Sequence, residues 1–98
     1  MKLIALEIEK EGLTSADFQP YLKDEARAIW ELHKQGIVRE IHFRADQHTA
    51  VITMECESVD EAKSILADLP LVKSGLITFD IIPLEPYSGF ERLFSDEK

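Results

Sequence analysis

The chain has 98 residues and a mass of 11.2 kDa, a length that predicts one domain spanning residues 1–98. Hydrophobic residues make up 45% of it and charged residues 31%, a balance typical of a folded globular protein. The 11 Lys and Arg residues against 19 Asp and Glu give a net charge of −8, without a basic stripe. Nucleic acids and anionic membrane surfaces are therefore disfavoured as partners.

Cysteine usage and hydropathy favour a reducing, membrane-free location. Cys56 is the single cysteine, so no intramolecular disulfide can form, and no Cys/His spacing indicates a zinc site. The apolar run after Met1 is too short for a signal peptide, and no later run reaches membrane-spanning length. We therefore predict a cytoplasmic protein.

The first third of the sequence predicts a strand followed by a long helix. Residues 2–9 carry apolar side chains on both parities, which indicates a strand buried in part on both sides. A helix is expected to start after a cap between Thr14 and Asp17, with Pro20 in its first turn. It should run to Gln35, because Gly36 stands where a C-cap belongs.

A hairpin is predicted next, since period-two alternation covers residues 37–45 and again 48–57. With Asp46 and Gln47 as the turn, Ala45 pairs with His48 and one face becomes apolar except for Arg39. That face holds Ile37, Arg39, Ile41 and Phe43 from one strand and Ala50, Ile52, Met54 and Cys56 from the other.

The last third repeats the helix-strand order. Ser58 and Glu61 form a capping box that starts a second helix, and Pro70 is expected to stop it. The mostly apolar run at 76–82 predicts a final strand with both faces buried. The whole order is strand, helix, strand, strand, helix, strand, which is the ferredoxin-like α+β arrangement: a four-stranded antiparallel sheet with two helices on one face.

Two helices cover only one side of such a sheet, although the outer strands are apolar on the other side too. We therefore expect a homodimer or larger homo-oligomer in which a second copy covers the open face. The aromatic tail, residues 84–98, is expected to dock on the partner subunit.

Glu25 lies inside the apolar stripe of the first helix, three residues after Leu22 and four before Ile29. Arg39 is the charged residue on the helix-facing side of the hairpin, so the two side chains can meet between helix and sheet. A functional interpretation makes Glu25 a carboxylate of tuned pKa beside a cation that binds an anionic substrate. A structural ion pair at the edge of the core is the alternative, and is the commoner arrangement.

Other polar and aromatic residues give weaker signals. His33, His42 and His48 share no face, so no metal site is predicted. Tyr21 and Trp30 flank the helix stripe and can line a pocket, although core or interface packing is the usual role of such aromatics. His48 and Asp80 are weak site candidates.

Three segments carry a family resemblance. Gly36-Ile37-Val38-Arg39, Ser58-Val59-Asp60-Glu61-Ala62 and Asp68-Leu69-Pro70-Leu71 resemble, in order and spacing, the muconolactone isomerase family. The similarity extends from about Tyr21 to Leu84.

The resemblance implies a dimeric α+β barrel and a cofactor-free isomerisation of a small unsaturated lactone by proton transfer. Glu25 matches an acidic position of the family and would move the proton, while Arg39 would hold the substrate carboxylate or a developing enolate. Tyr21, Lys23, Trp30 and His48 are the predicted substrate-binding residues. The family's lysine aligns with Leu22, so Lys23 is turned about 100° around the helix, which leaves the substrate open.

The same barrel supports other roles. One alternative is a noncatalytic protein that binds a small ligand or assembles into an oligomer. Another is a cofactor-free monooxygenase of the same fold, because a fold alone does not select a reaction.

Overall fold

A computed structural model describes residues 1–95 of the chain as a four-stranded antiparallel sheet with helices on one face. The strands are β1 (Lys2–Glu9), β2 (Val38–Phe43), β3 (Ala50–Glu55) and β4 (Ile77–Pro83). The helices are α1 (Ser15–Phe18), α2 (Leu22–Lys34), α3 (Val59–Ala67) and α4 (Pro70–Lys73), with 3₁₀ turns at Gln19–Tyr21 and Gly89–Leu93. The strand order β2-β3-β1-β4 confirms the predicted ferredoxin-like α+β fold.

The core lies between the helices and the face of the sheet that they cover. Leu3 of β1, Ile52 and Met54 of β3 and Leu66 of α3 are at most 2% exposed. Alternation along β1 and β3 places these strand residues on one face, where the apolar stripes of α2 and α3 pack against them. None of the helices in residues 1–95 is long and apolar enough to cross a membrane.

The long helix predicted before Gly36 is divided. A 3₁₀ turn at Gln19–Tyr21 separates α1 from α2, and Pro20 lies within that turn. Proline has no N–H to donate and its ring crowds the preceding turn, so a continuous helix through this position is disfavoured. The predicted end is confirmed, because Gly36 follows the last turn with a φ of +80°.

A β-bulge changes which residues of β2 face the core. The predicted register holds at Ile41–Ile52 and Phe43–Ala50, but Val38 pairs with Met54 in place of Arg39. One extra residue in β2 moves every earlier side chain to the opposite face. Val38 is therefore buried and Arg39 exposed, so the predicted position of Arg39 on the helix-facing side is wrong.

The hairpin loop is longer than predicted. Arg44 N–H donates to Thr49 O (2.8 Å), and His48 N–H donates to Arg44 O (2.8 Å). Residues 45–48 thus form the loop, and the predicted pair of Ala45 with His48 does not occur. His48 has a φ of +55°, a left-handed conformation that is uncommon outside glycine.

The second helix begins as predicted. Ser58 Oγ accepts a hydrogen bond from Glu61 N–H (3.1 Å), and Glu61 Oε1 accepts one from Glu57 N–H (3.4 Å). The helix ends at Ala67, before Pro70. Pro70 then occupies the first position of α4, where its missing N–H costs no helical hydrogen bond.

The other face of the sheet carries apolar side chains that no helix of residues 1–95 covers. Ile4 and Leu6 are half-buried, whereas Ile8 is 52% and Ile82 38% exposed. In β1 and β4 these residues lie on adjacent strands, since Ile4 pairs with Ile82. The predicted covering of this face by a second copy stays a prediction.

The described part of the tail projects from the sheet. Its large apolar residues are Tyr87, Phe90, Leu93 and Phe94, which are 65–85% exposed. Residues 1–95 extend 63 Å along their longest axis, and the radius of gyration of 16.7 Å exceeds the roughly 13 Å of a compact chain of about 100 residues. Docking of the predicted tail, residues 84–98, on a partner stays a prediction, and residues 96–98 lie outside the described chain.

We expect a dimer held by the open sheet face. Light scattering at micromolar concentration should give twice the mass of one chain, and a double substitution Ile8→Lys and Ile82→Lys should give one chain. Both residues are exposed in the single chain, so the variant chain should stay folded, and its melting temperature should fall only by the stabilisation that the dimer supplied. Asp60→Lys, on the exposed side of α3, is the control and should stay dimeric; a wild-type protein of single-chain mass would contradict the expectation.

Candidate active site

A cavity of about 890 Å³ lies between the helices and the covered face of the sheet. Its volume is in the range of sites that hold small organic molecules. The wall is mostly apolar and includes Leu13, Phe18, Leu22, Ile29, Phe43 and Phe79. Its ionisable members are Glu7, Glu9, Glu25 and His48.

Glu25 is the most buried charged residue in residues 1–95, with 7% of its surface exposed. Its position in the apolar stripe of α2 aims it at the sheet, as predicted. Its Oε1 accepts a hydrogen bond from the backbone N–H of Leu71 (2.9 Å). Its other oxygen, Oε2, receives no hydrogen bond from residues 1–95, so one oxygen is fixed and the other is available to a ligand.

The amide that holds Glu25 is free for a structural reason. Leu71 lies in the first turn of α4, where backbone N–H groups have no acceptor within the helix. The segment Leu69-Pro70-Leu71 starts this short helix and so points the Leu71 amide at α2. The motif that stops the second helix therefore also anchors the carboxylate.

Burial raises the pKa of Glu25 above its ordinary value, because the charged form loses hydration. The Leu71 amide acts in the opposite direction, since it stabilises the carboxylate. The charge of Glu7 raises the pKa of Glu25 further. A carboxylate whose pKa is raised is a stronger base than an ordinary one, and its neutral form can return the proton.

Glu7 is a site residue that the sequence analysis missed. It lies on β1, and its Oε1 accepts a hydrogen bond from Ala50 N–H (2.7 Å) where the ladder between β1 and β3 ends. Burial raises its pKa, while the Ala50 amide lowers it and the charge of Glu9 raises it again. Its parity with the buried Leu3 and Ala5 was the available signal.

Arg39 does not meet Glu25. The bulge turns its side chain outward, and its Nε donates a hydrogen bond to Gly36 O, just after α2. Glu25 forms no ion pair with any residue in 1–95, and Arg39 does not line the cavity. The expected contact is therefore wrong, and the Gly36 to Arg39 spacing has a local structural explanation.

The other predicted residues divide into two groups. Trp30 and His48 line the cavity, and the His48 ring stacks on Phe43 at 4.2 Å between centroids. Tyr21 and Lys23 are exposed and do not line it. Asp80, a weak site candidate within a strand predicted to be buried on both faces, is exposed on the uncovered face of the sheet, where it pairs with Leu6 of β1.

The histidines remain separate. His33 Nδ1 lies 3.0 Å from Val38 O, His42 is exposed on β2, and His48 belongs to the hairpin loop. In the described chain, no group of three or more His, Cys, Asp or Glu side chains is arranged to hold a metal ion.

Comparison with known families identifies the chain. The family of muconolactone delta-isomerases matches residues 3–89, which include all four strands except Lys2, both long helices and the whole cavity wall. The chain belongs to this family. No curated protein sequence matches it significantly.

Two solved structures share the fold. A muconolactone isomerase superposes with a TM-score of 0.73 at 17% identity, covering 90% of this chain and 92% of that one. A 5-chloro-2-hydroxyhydroquinone dehydrochlorinase from Burkholderia phenoliruptrix AC1100, in complex with 2,5-dihydroxybenzoquinone, superposes with a TM-score of 0.64 at 17% identity, covering 91% and 98%. At this identity the likeness shows a common fold.

Glu25 should lower the stability of the protein at neutral pH. Its pKa is higher in the folded state than its ordinary value of 4.5, so its favourable contribution is complete below that value and is lost as the pH rises through the folded pKa. Glu25→Gln keeps an oxygen for Leu71 N–H and removes the charge. Thermal melts should therefore show a higher melting temperature for the variant at pH 8 and little difference at pH 4.

Glu31→Gln is the matched control, because Glu31 lies on the exposed side of the same helix. It should show no gain at pH 8. Equal melting temperatures for wild type and Glu25→Gln at pH 8 would contradict the assigned burial cost.

Proposed function

We propose that the protein is a cofactor-free isomerase that moves a proton within a small unsaturated lactone, with Glu25 as the proton carrier. The observation that carries the proposal is the Glu25 carboxyl group, which is buried at the cavity wall with one oxygen held by Leu71 N–H. Membership of the muconolactone delta-isomerase family supports the reaction class.

The proposed reaction needs two proton transfers. The free oxygen of ionised Glu25 removes a proton from a carbon next to the conjugated system, which breaks a C–H bond and leaves a dienolate. The neutral carboxyl then returns that proton to another carbon of the ring, so the double bond moves and the carboxylate is restored. Because one residue acts as base and then as acid, a pKa raised by burial makes Glu25 a stronger base in the first step.

The cavity suits this chemistry in size and polarity. Trp30, Phe43 and Phe79 offer flat apolar surfaces for an unsaturated ring, and His48 is placed to donate or accept a hydrogen bond at the wall. The two structural relatives are named for reactions on small ring compounds, which supports the same class of ligand here.

Arg39 has no catalytic part in this proposal. Its guanidinium binds the backbone carbonyl of Gly36. The pKa of Glu55 on the neighbouring strand is lowered chiefly by its hydrogen bond with the N-terminal amino group, and the charge of Arg39 adds a smaller effect. A cation near the carbonyl end of α2 stabilises the helix terminus. Its function is therefore to hold the junction between α2 and β2.

The test of the proposal is a spectrophotometric isomerisation assay with muconolactone and its methyl ester. Wild type should convert at least one of them faster than buffer alone, and Glu25→Gln should reduce kcat by about 10²-fold or more, the usual contribution of a general base. Glu31→Gln is the control for the helix and should keep wild-type activity. Turnover at the wild-type rate by Glu25→Gln would exclude the assigned role.

Replacing Arg39 distinguishes a structural role at the end of α2 from a role in substrate binding. Arg39→Met keeps the aliphatic stem but loses the bond to Gly36 O, so we expect a loss of about 1 kcal/mol in stability. In a domain of this size that corresponds to a fall of about 4–8 °C in melting temperature. The kcat/KM value should change less than about twofold, because Arg39 does not line the cavity and adds no transition-state contact. A large fall in kcat/KM without loss of stability would instead favour substrate binding by Arg39.

A further inference from the structure

The charges that face the cavity are nearly all negative. Three carboxylates, Glu7, Glu9 and Glu25, belong to its wall, and His48 is the one basic side chain there within residues 1–95. The His48 ring is stacked on Phe43, at the mouth formed by the hairpin. No Lys or Arg of the described chain lines the cavity.

Of the five Lys and Arg residues on α2 and the β2–β3 hairpin, four are engaged elsewhere, and the fifth, Lys23, is exposed and does not line the cavity. The Arg39 guanidinium binds Gly36 O, and Arg44 of the hairpin forms two hydrogen bonds with Asp46 (3.0 and 2.8 Å). On α2, Lys34 pairs with Glu31 and Arg27 with Asp24, both at the exposed side of the helix. Within residues 1–95, the cavity wall therefore offers a ligand carboxylate three carboxylates and no Lys or Arg to balance its charge.

The cavity wall strengthens this effect. Its surface is mostly apolar and removes water from a bound ligand, and charges attract or repel more strongly in such surroundings than in bulk water. An anionic ligand would lose its hydration and gain no ion pair in return. A neutral ligand loses little hydration and meets no charge repulsion from Glu7 and Glu25.

We propose that the site selects an uncharged substrate, a lactone or related conjugated ring without a carboxylate group, and that Glu7 is the specificity-determining residue that excludes the anion. This inference rests on the proposed function, since Glu25 is its proton carrier. Glu7 suits the role because its Oε1 is fixed by Ala50 N–H, so its charge cannot swing out of the cavity. Charge, and not size, would exclude the anionic ligand, because the cavity has room for the ring of the acid and of its neutral ester alike.

Muconolactone and its methyl ester form a matched pair, because both contain the same ring and only the acid carries a charge at pH 8. We expect wild type to use the ester with a kcat/KM at least about tenfold higher than that of the acid, as like charges in a poorly hydrated site repel strongly. Glu7→Gln should narrow this ratio by raising the value for the acid, and Glu31→Gln should leave the ratio unchanged. Gln still offers an oxygen to Ala50 N–H, and a thermal melt establishes that the variant is folded.

Binding gives a readout that does not depend on turnover. Trp30 is the chain's single tryptophan and lines the cavity, so its fluorescence reports the occupancy of the site. If neither compound is converted, the proposed function fails, and quenching by the ester with no quenching by the acid still supports the selection of neutral ligands. The inference would be overturned if the acid bound more tightly than the ester, if both bound equally, or if neither bound. It would also be overturned if Glu7→Gln left the ester-to-acid ratio of kcat/KM unchanged.

Discussion

The hydrogen bond from Leu71 N–H to Glu25 Oε1 is the contact on which the candidate site depends. It joins residues 46 positions apart in the chain and ties α2 to the start of α4. Without it, the buried carboxylate would have no donor, and a buried acceptor that lacks a partner is costly. The bond is possible because a helix start leaves its first amides free, and Pro70 places such a start beside α2. One short helix thus supplies both a turn in the chain and an anchor for the buried carboxylate.

The cavity holds this anchored carboxylate in surroundings that make its negative charge unfavourable. Glu7 and Glu25 are both partly removed from water, both accept one backbone hydrogen bond, and the charge of Glu7 raises the pKa of Glu25. Each unit by which a carboxyl pKa rises corresponds to about 1.4 kcal/mol in favour of the neutral form. A protein selected for stability alone would place apolar side chains at both positions. Two anchored carboxylates in an apolar cavity are therefore best explained by chemistry at that wall.

Much of the fold could be predicted because its signals are local. Strand alternation, the capping box at Ser58 and the positive φ at Gly36 each depend on a few neighbouring residues, and together they specify the order of elements. The bulge at Arg39 could not be predicted in this way. The apolar and polar residues alternate regularly along β2, and only the pairing with β3 shows that one residue is extra. The helix break at Pro20 and the four-residue hairpin loop were misjudged for a similar reason, as several local conformations satisfy the same sequence.

The residues of the candidate site could likewise be predicted where the signal is local, and could not where it depends on distant contacts. Glu25 could be found from its position in an apolar helical stripe, because helix periodicity fixes the direction of its side chain. Glu7 has an equally regular position, yet a carboxylate near a strand end is usually a solvated edge residue, and only the backbone amide of Ala50 distinguishes it. For Arg39 the sequence predicted a functional role that the structure does not require. A cation at a family motif suggested ligand binding, but the hydrogen bond from Arg39 to Gly36 O gives the residue a structural role. The family's helix end, C-cap and capping box maintain the fold, whereas in our proposal the charge of the cavity wall selects the ligand. Members of one family can therefore keep every structural motif and still differ in substrate through a single strand residue such as Glu7.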